Sequence, residues 1–179
     1  MSKSLKNIIK VSVFGGFVLV VLILTSQINR VSAENFSYTD EQSLKLVNSL
    51  RKENGLNSLK WNDRLASAAY KKAVDMENYK YFDHISPKGK KAWDFVISEN
   101  YQYSNAGENL ALDFDNVKDA TNAWENSPLH LRNMVSSEFD EFGFAQLNAN
   151  IEGHPTIVYV QIFAKEQPIY DRMLEDITN

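Results

Sequence analysis

Three side chains in this sequence have the chemistry of a ligand-binding or reactive site: two histidines and one glutamate. His84 lies in the segment Phe-Asp-His-Ile-Ser-Pro, Glu108 follows Gly107, and His130 stands three residues after Ser127. Two neutral imidazoles and a carboxylate suit zinc with an open fourth position, and the same set suits general acid and base catalysis. We therefore predict that the three side chains meet in one cleft, although they are far apart along the chain.

The local context of each residue is compatible with that role. Ser127 and Pro128 predict a helix start, so the ring of His130 lies in the first helical turn, where the helix dipole disfavours its protonated form. Gly107 allows a sharp turn or a close approach, which predicts that Glu108 lies in a glycine-led loop. The ordinary alternatives are a hydrogen-bonding surface histidine and a glutamate that serves a turn or cap.

Other catalytic signatures are absent from the sequence. It contains no HExxH pair, no P-loop and no GxSxG nucleophile elbow. Ser86 and Ser127 are interpreted as turn and cap residues rather than nucleophiles, and His154, in a predicted hairpin loop, as a surface residue. The chain has no cysteine, which excludes disulfides, thiolate metal sites and cysteine nucleophiles within it.

The composition restricts the class of protein. The chain has 179 residues, 44% of them hydrophobic, and a formal net charge of −4. Because nucleic-acid binding needs clustered Lys and Arg to neutralise phosphates, an acidic chain without such a patch is not expected to bind nucleic acid. The length predicts a single domain of ordinary size behind an N-terminal leader.

Residues 1–33 have the pattern of an export signal. Three lysines precede or border an apolar stretch at 11–24, and the small residues at 31–33 offer a cleavage site. A cleaved signal peptide and a retained membrane anchor are both open, because counting from Ile8 gives a nearly spanning segment. Both alternatives predict a secreted or surface-anchored domain, with membrane contact only through this segment.

Capping residues and hydrophobic spacing predict five helices after a short linker at 34–38. The predicted helices run from the Thr39 capping box to Gly55, from the Asn62 cap through Met76, over 90–99, over 117–126, and onward from Ser127. The helix at 90–99 is predicted to bury Trp93, Val96 and Ile97.

Two strands are predicted late in the chain, at 142–147 and 156–163, where β-branched and aromatic residues are frequent. Residues 148–155 are predicted to join them as a hairpin loop. Helices early and adjacent strands late indicate an α+β domain with a small antiparallel sheet covered by helices. The tail at 166–179 is polar and predicted to be peripheral.

Ten short segments carry a family resemblance when they are taken in order. They are Val47–Arg51, Gly55–Leu56, Leu59–Asn62, Leu65, Ala73–Met76, Phe82–Pro87, Gly107–Ala111, Trp124, Ser127–His130 and Phe142–Gly143. In this order they resemble bacterial CAP-domain proteins, the microbial relatives of cysteine-rich secretory proteins, venom antigens and plant pathogenesis-related proteins. The resemblance implies an SCP-like domain at 39–165, folded as a three-layer α-β-α sandwich with a small central antiparallel sheet.

The resemblance also implies a cleft lined by a His/Glu/Glu/His tetrad. Three members fall on His84, Glu108 and His130. The fourth falls on Ser127, and Glu125 stands two residues before it. The resemblance thus implies a binding cleft of these five residues, with a metal or anion site of at most three ligands.

For function, the resemblance implies a secreted scaffold that binds a small hydrophobic ligand, a cell-wall component or a protein. Some members hold a divalent metal such as zinc in the cleft. We therefore expect a binding module rather than an enzyme. One alternative is a metal-assisted hydrolase of peptide or cell-wall bonds, with His84, Glu108 and His130 as zinc ligands. Another is a structural surface domain in which these residues only brace loops.

Overall fold

Nine helices and strands follow one another in residues 37–168, the part of the chain that a computed structural model describes. The helices are α1 (Tyr38–Glu53), α2 (Asp63–Tyr79), α3 (Ala92–Ser98), α4 (Val117–Glu125) and α5 (Pro128–Met134), and the strands are β1 (Lys60–Trp61), β2 (Tyr103–Leu112), β3 (Glu141–Ile151) and β4 (His154–Glu166). The predicted leader at 1–33 and most of the predicted tail at 166–179 lie outside the described residues. Within them, no helix is long and apolar enough to cross a membrane.

The four strands form one sheet in the order β1-β3-β4-β2. The long strands β2, β4 and β3 pair antiparallel, and the two-residue strand β1 pairs parallel with the start of β3. The predicted antiparallel sheet is therefore confirmed, with a short parallel strand added at one edge.

The β3–β4 hairpin is longer than the sequence pattern predicts. Ile151 pairs with His154, which leaves only Glu152 and Gly153 in the turn. These two residues have φ angles of 51° and 88°, and positive φ at both positions matches the twist of paired antiparallel strands. The loop predicted at 148–155 is wrong, because the polar residues there lie on the exposed side of strands that continue.

Helices cover both faces of the sheet, which confirms the three-layer α-β-α sandwich. On β4, Val158, Val160 and Ile162 face a core shared with α2 and α3. The alternate residues Tyr159 and Phe163 face a second core shared with α1, α4 and α5. The period of two along a strand sends successive side chains to opposite faces, so a central strand of this kind must be apolar on both.

Helix α2 lies directly against Gly143 on β3. A Cβ atom at this position would lie 2.2 Å from the carbonyl carbon of Leu65 and 2.3 Å from the backbone nitrogen of Ala66. The predicted apolar stripe of α2 is fully buried at Leu65, Ala69 and other positions. Its small side chains let the helix backbone approach the strand this closely.

Helix α3 is shorter than predicted, and one of its residues faces the other way. It spans Ala92–Ser98, with Ala92, Phe95 and Val96 on the buried side. Ile97, which the sequence pattern places in the core, is 46% exposed. The prediction fails because positions i, i+3 and i+4 already fill the inward face of this two-turn helix, and the next residue points about 100° away.

Candidate functional site

The loop between α2 and α3 brings His84 onto Glu108 of β2. Nδ1 of His84 lies 2.6 Å from Oε1 of Glu108. The side chain of His84 is 59% exposed, whereas that of Glu108 is 3% exposed. A buried carboxylate therefore orients an exposed imidazole. Nε2 of that ring takes part in none of the hydrogen bonds found in residues 37–168, and the ring is more than half exposed.

Glu108 lies within a strand, not in the predicted glycine-led loop. It pairs with Ile162 in the β2–β4 ladder. Gly107 serves close packing rather than a turn, because a Cβ atom there would lie 3.0 Å from the ring of Phe139 and 3.1 Å from the side-chain oxygen of Asn133. The strand position explains the precision of the site, since a carboxylate on a paired strand is held more rigidly than one on a loop.

The two imidazoles differ in their affinity for a proton. The hydrogen bond to Glu108 raises the pKa of His84, against a smaller opposing effect of burial. Burial lowers the pKa of His130, and the nearby charge of His84 lowers it further. The neutral His130 predicted from the sequence therefore agrees with the structure, although burial and His84 are the causes. The effect of His84 on the pKa of His130 shows that the two rings are close enough to interact electrostatically.

His130 is held by a contact within its own helix turn. Its Nδ1 lies 2.8 Å from Oγ of Ser127. Ser127 occupies the N-cap position of α5, as predicted, but its side chain makes no capping hydrogen bond to the backbone. The hydroxyl of Ser127, onto which the resemblance places the fourth cleft residue, thus orients the second imidazole.

A buried amide network fixes α5 against β2. Asn133 donates to the backbone carbonyl of Glu108 at 3.0 Å and to Oδ1 of Asn109 at 2.8 Å. Asn109 donates in turn to the backbone carbonyl of His130 at 3.2 Å and to Gln161 at 3.1 Å. These bonds join the strand of Glu108 to the helix of His130. Asn109 belongs to one of the family segments, but the sequence alone predicts no role for its side chain.

A fully buried lysine, Lys72, holds the His84 loop through hydrogen bonds to its backbone. Nζ of Lys72 donates to the backbone carbonyls of Asp83 at 2.7 Å and His84 at 3.1 Å, and to the hydroxyl of Tyr81 at 3.1 Å. Burial lowers the pKa of Lys72, and the carboxylate of Glu108 opposes that effect. The sequence holds a signal for this residue, because Lys72 falls on the apolar stripe of α2, where a charge needs partners.

Glu125 is the one predicted cleft residue that does not join the others. It lies exposed near the end of α4. Of the hydrogen bonds and ion pairs found in residues 37–168, none connects Glu125 to His84, Glu108 or His130. The structure thus brings together His84 and Glu108, and it links His130 and its partner Ser127 to them through the amide network.

The family model described as "CAP: Cysteine-rich secretory protein family" matches residues 44–163, well over half of the chain. The chain belongs to the CAP family. The resemblance inferred from the ordered segments is confirmed, and His84, Glu108 and His130 all lie within the matched part of this CAP domain.

Individual relatives agree with that assignment. The chain is 32% identical to the Bacillus subtilis protein YkwD over 104 residues, which are 58% of this chain and 40% of that protein. An extracellular protein of Bacillus anthracis that contains an SCP domain shares 26% identity at a TM-score of 0.64, over 70% of this chain and 40% of that one. An outer surface protein of Borrelia burgdorferi has the same fold, with a TM-score of 0.66 at 21% identity over 74% of this chain and 96% of that one. The CAP chain described here thus spans less than half the length of either Bacillus protein.

The predicted metal ligands keep only some of their donor atoms available. Nδ1 of His84 and Nδ1 of His130 are engaged in the protein, which leaves Nε2 as the available donor of each ring, and Oε2 of Glu108 is buried and lacks a hydrogen-bond partner. A carboxylate on the other ring nitrogen is compatible with a metal-ligating histidine. The ammonium of Lys72 adds positive charge near Glu108, which disfavours a second cation. In residues 37–168 no three His, Asp or Glu side chains form a group that could hold a metal ion. Zinc at His84, Glu108 and His130 stays a prediction.

Replacing Glu108 with glutamine should lower the pKa of His84, because the carboxylate hydrogen bond is the main cause that raises it. A histidine whose pKa is raised on folding stabilises the protein below its unfolded value of about 6.5, and this stability is lost as pH rises through the folded pKa. Because the ring is more than half exposed, we expect the contribution to stay below about 1 kcal/mol.

Titration of the histidine ring protons by NMR measures this shift, and urea unfolding at about pH 5 and about pH 8 measures the stability. The free energy of unfolding of the parent protein should exceed that of Glu108→Gln by more at the lower pH than at the higher pH. An unchanged His84 titration would show that Glu108 does not orient this ring.

Proposed function

We propose that this CAP domain is an extracytoplasmic binding module whose polar cleft recognises a lipid, a cell-wall component or a protein partner. One observation carries the proposal: the exposed His84 imidazole is oriented by the buried carboxylate of Glu108. The extracytoplasmic location is supported by relatives described as an extracellular protein and an outer surface protein, and by the export pattern at 1–33.

The contacts of the cleft favour recognition over bracing. His84 uses Nδ1 inside the protein, and because its side chain is 59% exposed, the rest of the ring is accessible to a ligand. A buried acid that fixes one ring nitrogen also fixes the direction in which the other meets a ligand.

The same contacts do not assemble the triad of a serine hydrolase. Ser127 and His130 form a hydroxyl–imidazole pair, but a nucleophile–base pair also needs a third group that orients the base. The carboxylate of Glu108 is hydrogen-bonded to His84, and none of the ion pairs found in residues 37–168 involves His130. The cleft therefore offers hydrogen-bonding groups to a bound molecule without an assembled catalytic triad.

The test compares binding to three fractions from cells that produce the protein: lipid vesicles, insoluble cell wall and exported proteins. His84→Ala and His130→Ala should each weaken binding to the recognised fraction about tenfold, as expected for central contacts of a small site. His154→Ala is the matched control, because this exposed histidine lies at the hairpin turn between β3 and β4. Equal binding of all four proteins to every fraction would contradict the proposal.

Metal analysis of the same preparations separates the hydrolase alternative. We expect substoichiometric zinc, with binding unchanged after chelation, because no three His, Asp or Glu side chains in residues 37–168 form a group that could hold a metal ion. One zinc ion per chain, lost in His130→Ala, would instead support the metal-assisted hydrolase.

A further inference from the structure

A concavity lies on the surface between α2 and α3. It has a volume of about 420 Å³ and includes neither His84, Glu108 nor His130 in its wall. This volume falls in the range of small-molecule sites in proteins. The groove is therefore a separate candidate site, and a ligand there is independent of the function proposed for the cleft.

Two exposed tyrosines stand along the groove. Tyr70 is 52% exposed and Tyr79 is 43% exposed, and both line it from α2. They are nine residues apart, which places them about 13 Å apart along the helix axis and about half a turn apart around it. The two rings therefore bound the groove on opposite sides of α2, and both are exposed where the outer surface of a helix is normally polar.

The surface between the tyrosines is mixed in character. Val74 and Phe95 contribute apolar atoms, and Asn78 contributes an amide that makes no side-chain hydrogen bond within residues 37–168. A wholly apolar ligand would remove this amide from water without replacing its hydrogen bonds, which costs binding free energy. The lining suits a molecule with alternating apolar faces and polar edges.

The carboxylates in and beside the groove are engaged by other protein groups. The carboxylate of Asp75 accepts a hydrogen bond of 2.7 Å from the hydroxyl of Tyr81 and attracts the buried ammonium of Lys72. Glu99, beside the groove, forms an ion pair with Lys71. These contacts leave little negative charge to repel an acidic ligand.

Two positive charges near the groove lack such partners. Nζ of Lys88 lies 2.6 Å from the hydroxyl of Tyr79 and 4.2 Å from the centre of its ring. Nζ of Lys90, in the groove wall, lies 5.5 Å from the ring centre of Phe95. Neither lysine forms an ion pair with a carboxylate in the described part of the chain. The groove and its rim therefore offer two ammonium groups without a carboxylate ion-pair partner in the described residues, although the whole chain is acidic.

We propose that this groove binds an acidic saccharide, a short chain of sugar rings that carries carboxylate or phosphate groups. Sugar rings present C–H faces, which pack on the rings of Tyr70 and Tyr79, and hydroxyl edges, which meet the amide of Asn78. The acidic substituent lies near Lys88 and Lys90, where charge attraction adds to the stacking.

Two tetrasaccharides of equal length test the proposal by NMR titration of the amide signals. One is a hyaluronan fragment, in which glucuronate alternates with N-acetylglucosamine, and the other is neutral chitotetraose. The acidic fragment should bind more tightly, shift the signals of residues 70–79 and 95–98, and bind more weakly as salt increases. Lys90→Gln should reduce the difference in affinity between the acidic fragment and the neutral sugar.

Substitution of the stacking residues gives the sharper result. Tyr70→Leu and Tyr79→Leu should each weaken binding about threefold to tenfold, the loss expected for one aromatic contact. Tyr38→Leu is the matched control, because this tyrosine is 79% exposed on α1 and is absent from the groove wall. His84→Ala is a second control and should bind the sugar normally.

Each contrary outcome overturns a stated part of the proposal. Absence of shifts with both sugars would overturn the assignment to saccharides, and equal binding of both would overturn the acidic class. Loss of binding in His84→Ala, with normal binding in the tyrosine variants, would move the site to the cleft. That last result would leave the proposed function of the cleft standing while removing the groove.

Discussion

Replacing Gly143 with alanine should lower the free energy of unfolding by about 3 kcal/mol or more, because the new methyl group overlaps a helix backbone. The added Cβ would lie 2.2 Å from the carbonyl carbon of Leu65 and 2.6 Å from its Cβ. Backbone atoms cannot rotate away as side chains can, so α2 would have to move off the sheet. Such movement would open the core that Leu65 shares with β3 and β4.

Gly107→Ala is the matched control for this prediction, since it adds the same methyl group to another strand of the same sheet. Its closest contacts are side-chain atoms of Phe139 and Asn133 at 3.0 Å and 3.1 Å, which can give way by small rotations. Denaturant unfolding followed by circular dichroism should show a much larger loss for Gly143→Ala. Equal stability of the two variants would mean that α2 is not pressed against β3 as described.

Replacing Lys72 with methionine should destabilise the domain by about 2 kcal/mol and loosen the His84 loop, because two part-buried backbone carbonyls and the hydroxyl of Tyr81 lose their donor. Methionine keeps the apolar stem and similar volume, so the effect isolates the ammonium. Its loss leaves the backbone carbonyls of Asp83 and His84 unpaired, and an unsatisfied buried acceptor costs about 1–3 kcal/mol. Relief from burying a charge offsets part of this cost.

The neighbouring variant Lys71→Met separates this effect from a general loss of charge. Lys71 is exposed and pairs with Glu99 at the surface, an interaction expected to contribute less than about 1 kcal/mol. Unfolding measurements give the stabilities of both variants. The NMR titration of His84 reports whether its ring still forms the hydrogen bond to Glu108. A Lys72→Met protein with normal stability and an unchanged His84 titration would contradict the positioning role.

Much of the architecture is predictable because it depends on local patterns. The buried stripe of α2, from Leu65 through Met76, follows from helical spacing alone. The start of α5 at Pro128 follows from the cap position and the proline. The loop predicted at 148–155 and the burial predicted for Ile97 are wrong for one shared reason, which is that burial depends on the elements that pack nearby. Polar residues on the exposed side of a long hairpin look like a loop, and a short helix cannot bury two adjacent faces.

The site is predictable in part, for a different reason. Histidine and glutamate attract attention by their chemistry, so the sequence alone is enough to name His84, Glu108 and His130. It assigns no role to Lys72 or Asn109, because the atoms they bind belong to segments far away in sequence or to backbone carbonyls. Glu125 shows that chemistry and proximity in sequence are not sufficient. It lies two residues before Ser127, but its side chain is exposed and makes no contact with His84, Glu108 or His130 among the hydrogen bonds and ion pairs of residues 37–168.

The amino-acid order by itself determined the family, the sandwich of helices on a sheet and the three side chains worth testing, because periodicity, capping and ordered motifs are local properties. Only the tertiary structure decided which atoms meet. It paired His84 with Glu108, gave the hydroxyl of Ser127 to His130 and buried the ammonium of Lys72 under the loop. Such contacts depend on how strands pair and helices pack, and packing at a site such as Gly143 is set by distances that no local pattern specifies.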